Sequence, residues 1–187
     1  MEFISERVSL EHRPDGVSVV ITARLPRVQE ALLVTWFAAW CVIGVFYAYE
    51  TVHLPAGEKR SFYLLFMLGW AWIAFRIGRV VLWRLKGFEL LRIKGGVFTI
   101  KNSVLGYGRA RDHFVENIKQ FGLLEVDETS WKWQLNDSFW VMGAERLGFT
   151  HVEKKVIFGK GLDKEEARRI AVVLERALKQ ARKASAQ

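Results

Sequence analysis

Four histidines, one cysteine and a scatter of serines and carboxylates are the residues of this 187-residue chain whose types can do chemistry. His12, His53, His113 and His151 each stand alone. No two have the HExxH spacing that sets a pair of imidazoles on one helix face for zinc. Cys41 has no second thiol for a disulfide or a zinc site, and a lone thiol inside an apolar run packs as a small hydrophobe. Ser61, Ser103 and Ser130 lack the strand-to-helix elbow that exposes a nucleophile. The stretch "GYGRAR", 106–111, has two glycines but neither the Walker lysine nor the strand–GxGxxG–helix unit that cradles phosphates. Asp112, Glu116 and Glu125 have no spacing that pairs them. The residue inventory therefore argues for a chain that is not an enzyme and holds no cofactor or metal.

Basic and aromatic residues say more. The net charge is +8 and the pI about 9.8. Arg109 and Arg111 are two apart on a predicted strand and so share a face, with Lys101 and Lys119 on neighbouring predicted strands. Near an anionic bilayer each such cation adds about 1 kcal/mol of attraction. Nucleic acid also attracts cations, but no nucleic-acid motif is present. Among eight tryptophans, Trp36, Trp40, Trp70 and Trp72 fall in apolar runs, and Trp131, Trp133 and Trp140 in one aromatic segment, 127–147. Large aromatics anchor partners. Trp36 and Trp40, four apart, share a helix face, and the Trp131-Lys132-Trp133 alternation sets two rings on one side of a strand. Partner docking through Trp36, Trp40, Trp70, Trp72, Trp131 and Trp133 competes with plain packing as their role.

The elements that must position these residues begin with two apolar runs. Residues 31–49, "ALLVTWFAAWCVIGVFYAY", carry no formal charge and have about the length that crosses a hydrocarbon core. The polar stretch before them lacks the short basic start of a cleaved signal peptide, so they read as a retained span. A second span over about 62–83 includes Arg76 and Arg79, three apart on one helix face and near a leaflet edge, where long stems reach headgroups. A short linker with Pro55-Ala56-Gly57 makes the pair a hairpin. The linker holds Lys59 and Arg60 against Glu50 and Glu58; the other side holds Arg24, Arg27, Arg79, Arg84, Lys86, Arg92 and Lys94. The positive-inside rule then sets both termini in the cytoplasm.

Outside the spans the pattern changes to strands. Residues 7–23 alternate around Pro14-Asp15-Gly16, and 87–101 around Gly95-Gly96, as hairpins do. Further strands are expected at 107–114, 117–126, 139–143, 148–154 and 155–161. Asp163 with Glu166 makes a capping box, and Ala167, Ile170, Leu174, Ala177, Leu178 and Ala181 follow at helical spacing. Short strands closed by one amphipathic helix predict an antiparallel barrel or sandwich.

This order resembles the bacterial pleckstrin-homology (PH)-like domains, in particular small membrane proteins in which such a domain follows a transmembrane hairpin. The likeness rests on "GFELLRIKGGVFTI", "LGYGRARDHF" and "VIFGKGLDKEEARRIAVVL", with 127–147 as an insertion or an elaborated loop. It implies an α+β membrane protein: an N-terminal β-hairpin over 1–28, a transmembrane hairpin over 29–86, and a PH-like cytoplasmic domain over 87–187 whose terminal helix runs over 163–183. The expected function is a non-enzymatic, membrane-anchored interaction module. It would meet anionic phospholipid through Arg76 and Arg79 of the second span and Lys101, Arg109, Arg111 and Lys119 of the domain, or meet a protein. The alternative is an accessory or assembly subunit of a respiratory or photosynthetic membrane complex.

Overall fold

The computed structural model describes residues 2–125, 127–138 and 140–185. Strands β1 (Glu2–Phe3), β2 (Val8–Arg13) and β3 (Gly16–Thr22) lead into helices α1 (Arg27–His53) and α2 (Glu58–Lys86). Strands β4 (Gly87–Lys94), β5 (Val97–Val104), β6 (Ala110–Phe114) and β7 (Ile118–Leu123) follow, the last two joined by one 3-10 turn over Val115–Asn117. Helix α3 (Trp131–Asp137), strands β8 (Glu145–His151) and β9 (Lys154–Lys160), and helix α4 (Lys164–Ser185) complete the described chain.

All strand pairing is antiparallel, in a six-stranded sheet β1-β2-β3-β4-β5-β6 and a three-stranded sheet β7-β8-β9. The barrel alternative does not hold. Among the described residues no ladder joins β6 to β7, because the 3-10 turn swings the chain off the first sheet once the Val115 amide has bonded Gly96 O. The pairing that sequence left open is β3 with β4, in register from Gly16↔Lys94 to Thr22↔Phe88. The N-terminal hairpin is thus part of the larger sheet, and the two long helices are an insertion between adjacent strands.

Period-2 alternation explains which face is inside: Val17, Val19 and Ile21 on β3, Leu91 and Ile93 on β4, Phe98 and Ile100 on β5 are all buried. Phe98 meets Phe149 and Phe158 of the second sheet at ring separations of 5.6 Å. Helix α4 closes the core with Ala167, Ile170, Leu174, Ala177 and Leu178. Its capping box forms in full: Asp163 Oδ1 accepts from the Glu166 amide at 2.7 Å, and Glu166 Oε2 from the Asp163 amide at 3.0 Å.

Turn chemistry varies along the chain. Gly95 and Gly96 take the two positive φ angles of a tight β4–β5 hairpin. The β8–β9 turn asks the same of Val152 and Glu153, at φ 46° and 64°. A β-branched residue is strained there.

Helices α1 and α2 are each long and apolar enough to cross a membrane, and little of either is buried within the protein. They extend past the expected spans at both ends, leaving only residues 54–57 between them. The strand expected over 139–143 does not form: residues 140–142 are turn and bend, Gly143 is irregular, and Phe139 lies outside the described residues, as does Val126 at the end of the expected 117–126 strand.

Candidate functional site

Within the hairpin, the tryptophans divide by role. Trp70 is wedged between the helices, its indole Nε1 donating to Trp40 O at 3.2 Å. Gly44 admits that ring: a Cβ there would lie 1.9 Å from it. Trp36 stacks on Trp40 at 5.5 Å, while Trp72 is exposed and carries Arg76 over its ring at 5.4 Å. Arg79 lies similarly over Phe75 at 5.9 Å. Helical side chains lean toward the N-terminus, so both arginines sit over rings one turn back.

The aromatic insertion docks on the root of this hairpin. Trp83 Nε1 donates to Met142 O at 3.0 Å, and Arg84 donates to Val141 O at 2.9 Å and Ser138 O at 3.2 Å. Trp140 meets Trp36 edge-on at 5.0 Å. Trp131 and Trp133 belong to α3, not a strand, and two residues along a helix is more than half a turn. They therefore do not share a side: Trp131 is exposed, whereas Trp133 lies under Arg146 at 4.8 Å. Arg84, grouped by sequence with the headgroup cations, is 3% exposed and pins the insertion.

The expected lipid residues of the domain are only partly brought together. Arg109 and Arg111 line one small cavity of about 180 Å3 with Ile100, Asn102, Val156 and Ile157. Lys101, opposite Ala110, and Lys119, opposite Thr150 on the other sheet, do not line it. Further along the same face of β6, His113 meets His151 at 4.8 Å and Phe149 at 5.2 Å. Burial, and then the neighbouring His151, hold the His113 pKa below its ordinary value. Among the described residues no three His, Cys, Asp or Glu side chains are grouped to hold a metal ion.

Glu89 breaks the apolar alternation of β4 and is 1% exposed. Its Oε2 accepts from the Gly159 and Lys160 amides at 2.8 and 3.0 Å, tying the middle of one sheet to the edge of the other. Burial pushes its carboxyl above the ordinary range, opposed by those two amides. No sequence signal beyond the broken period marks this residue.

A half-open cavity of about 1150 Å3 lies where helices and domain meet. Arg24, Arg27 and Lys86 stand on its rim, exposed and with no ion pair or hydrogen bond from their side chains among the described residues. Sequence marks these three as topology signals; their convergence on one cavity follows only from the β3–β4 pairing. Beside them, in the turn after β5, Leu105 and Tyr107 are 59% and 85% exposed, with the Leu105 amide against Lys86 O at 3.5 Å. Comparison with protein-family models, with curated proteins and with solved structures finds no match.

Proposed function

We propose that the chain is a non-enzymatic, membrane-anchored interaction module. Helices α1 and α2 cross a bacterial inner membrane as a hairpin, both termini on the cytoplasmic side, and hold a PH-like domain against anionic lipid headgroups. One observation carries this reading: the hairpin enters and leaves between two paired strands, with residues 23–26 on one side and no linker on the other. The Ala23 amide still bonds Gly87 O at 3.0 Å at that crossing. A domain so attached cannot swing away from the bilayer surface.

The helix dimensions agree with this placement. At 27 residues α1 is roughly 40 Å long, against roughly 30 Å of hydrocarbon. Away from its contact with α2 its apolar residues face outward, with Val42, Val45 and Phe46 among the most exposed. Such a helix needs lipid or protein around it. Arg24, Arg27 and Lys86 then stand at headgroup depth, with Leu105 and Tyr107 positioned to enter the interface. The PH-like reading is supported by element order: two antiparallel sheets followed by one helix packed across their core.

A second reading, an accessory subunit of a membrane complex, is favoured by an apolar groove of about 350 Å3 on the hairpin, lined in part by Trp40, Phe66, Gly69 and Trp70. One experiment addresses both. The full chain is extracted from native membrane in polymer nanodiscs, and everything co-purifying is quantified by mass spectrometry. Anionic lipid enriched over the bulk membrane is the expected result; bulk lipid composition would overturn the headgroup reading. Proteins retained at constant stoichiometry would support the subunit reading.

A further inference from the structure

Six basic and four acidic side chains line the cavity at the hairpin root, but their charges are not equally available. Glu166 is taken up by Arg7 at 3.0 Å, by Ser5 at 2.6 Å and by the Asp163 amide, and Asp163 in turn caps α4. Arg84 and Arg146 are fixed to backbone carbonyls of the insertion and of Leu162. The opposing acids Glu6 and Glu30 remain, against Arg24, Arg27 and Lys86. The available balance is therefore cationic, in a recess large enough for a polar group of many atoms. Its surroundings change within about one and a half helical turns. Val28 and Leu32 on α1 and Leu82 on α2 are exposed apolar residues immediately beyond Arg27 and Lys86.

A ligand that matches both sides has an anionic, oxygen-rich head joined to hydrocarbon. We propose that this cavity holds the phosphate-bearing headgroup of one anionic glycerophospholipid. Arg24, Arg27 and Lys86 surround the phosphate, and the acyl chains lie along the outer faces of α1 and α2. Arginine supplies planar forks for phosphate oxygens and lysine a point charge. The assignment rests on the membrane-surface reading above but adds to it a stoichiometry and a location: one lipid per chain, held at the root rather than spread over the basic surface. Arg109 and Arg111, in their separate small cavity, are outside it.

The test uses the full chain, purified in mild detergent, delipidated and observed by native mass spectrometry. Its probes are phosphatidylglycerol, phosphatidylcholine and soluble glycerol phosphate. One phosphatidylglycerol per chain is expected to survive detergent removal where phosphatidylcholine does not, undisplaced by glycerol phosphate. The triple change Arg24→Gln, Arg27→Gln, Lys86→Gln weakens that retention about a hundredfold, at about fivefold per cation. Arg109→Gln with Arg111→Gln leaves it unchanged. Lys86→Gln alone, at an exposed helix end, gives the fivefold step without a folding risk. Equal retention by wild type and triple variant overturns the site. Equal loss from the triple and the Arg109/Arg111 variants also overturns it, yet leaves the membrane-surface reading standing. Displacement by glycerol phosphate would make the ligand a soluble phosphate ester and overturn the lipid. No anionic preference in the wild type would overturn both readings together.

Discussion

Glu89 shows how a single side chain binds the two sheets. Its Oε2 serves two amides at the end of β9 that have no strand beyond them to pair with. Glu89→Leu removes that acceptor and strands both donors, each at about 1–3 kcal/mol, so thermal unfolding of the full chain should shift down by several degrees. Glu89→Gln keeps a carbonyl oxygen in place and should retain most of the stability. The pair also carries a pH signature. Burial raises the folded carboxyl pKa above the unfolded one, so the folded chain holds the proton more tightly. Stability contributed by Glu89 therefore falls as pH climbs from the ordinary carboxylate value through the raised folded one. Melting scans from about pH 4 to about pH 8 should show this slope in the wild type, and its loss in Glu89→Gln. A slope identical in both chains would mean Glu89 stays ionised when buried.

At the scale of elements, the hairpin is held by one tight approach. Trp70 fills the space where Gly44 has no side chain, and further along Phe37 would lie 3.2 Å from a Cβ at Gly78. Gly44→Ala must push the indole or the helix aside, an overpacking cost of about 1–3 kcal/mol. Trp70→Ala alone leaves a cavity and loses the bond to Trp40 O. Combined, the two changes should cost clearly less than the sum of the singles, because the alanine at 44 then occupies space the indole has vacated. Unfolding of the full chain in mixed micelles with increasing dodecyl sulfate measures all four forms of this cycle. Simple additivity would show that the helices do not meet at this point. The aromatic insertion obeys a different logic: its own backbone carbonyls are bonded by Trp83 and Arg84, so its placement follows the end of α2 rather than any pattern within 127–147.

For the whole molecule, the decisive matter is orientation. At the far end of the hairpin, the last turn of α1 and the first of α2 set Glu50 and Glu58 against Lys59 and Arg60, whereas the domain end gathers Arg24, Arg27, Arg79 and Lys86. Cysteine labelling reads the outcome directly. In a Cys41→Ser background, Ala56→Cys should react with an impermeant maleimide in intact spheroplasts. Lys183→Cys, on an exposed position of α4, should react only after permeabilisation. The opposite pattern would invert the molecule and place the cationic root on the outer surface. Because the domain is tied to both helices at a strand pair, no intermediate arrangement satisfies both labels.

Sequence by itself determined whatever depends on neighbours a few residues apart. The two apolar helices, the turns at Asp15-Gly16 and Gly95-Gly96, the strand alternation and the capped α4 were all legible, because periods of 2 and 3.6 and capping chemistry are local. The strand expected over 107–114 begins only at Ala110, so Arg109 precedes it, and what the structure shows of Arg109 and Arg111 is that both line one small cavity. Tertiary structure decided what depends on distant partners: the pairing of β3 with β4 across residues 23–86, the open two-sheet arrangement in place of a barrel, and the acceptor role of Glu89. It also turned the expected Trp131–Trp133 strand into a helix and gave Arg84 to the insertion. Nothing within several residues of Arg24, Arg27 or Lys86 marks them as one group. They converge because a continuous ladder of backbone hydrogen bonds brings the two ends of the hairpin together, and such a ladder is specified by both strands at once.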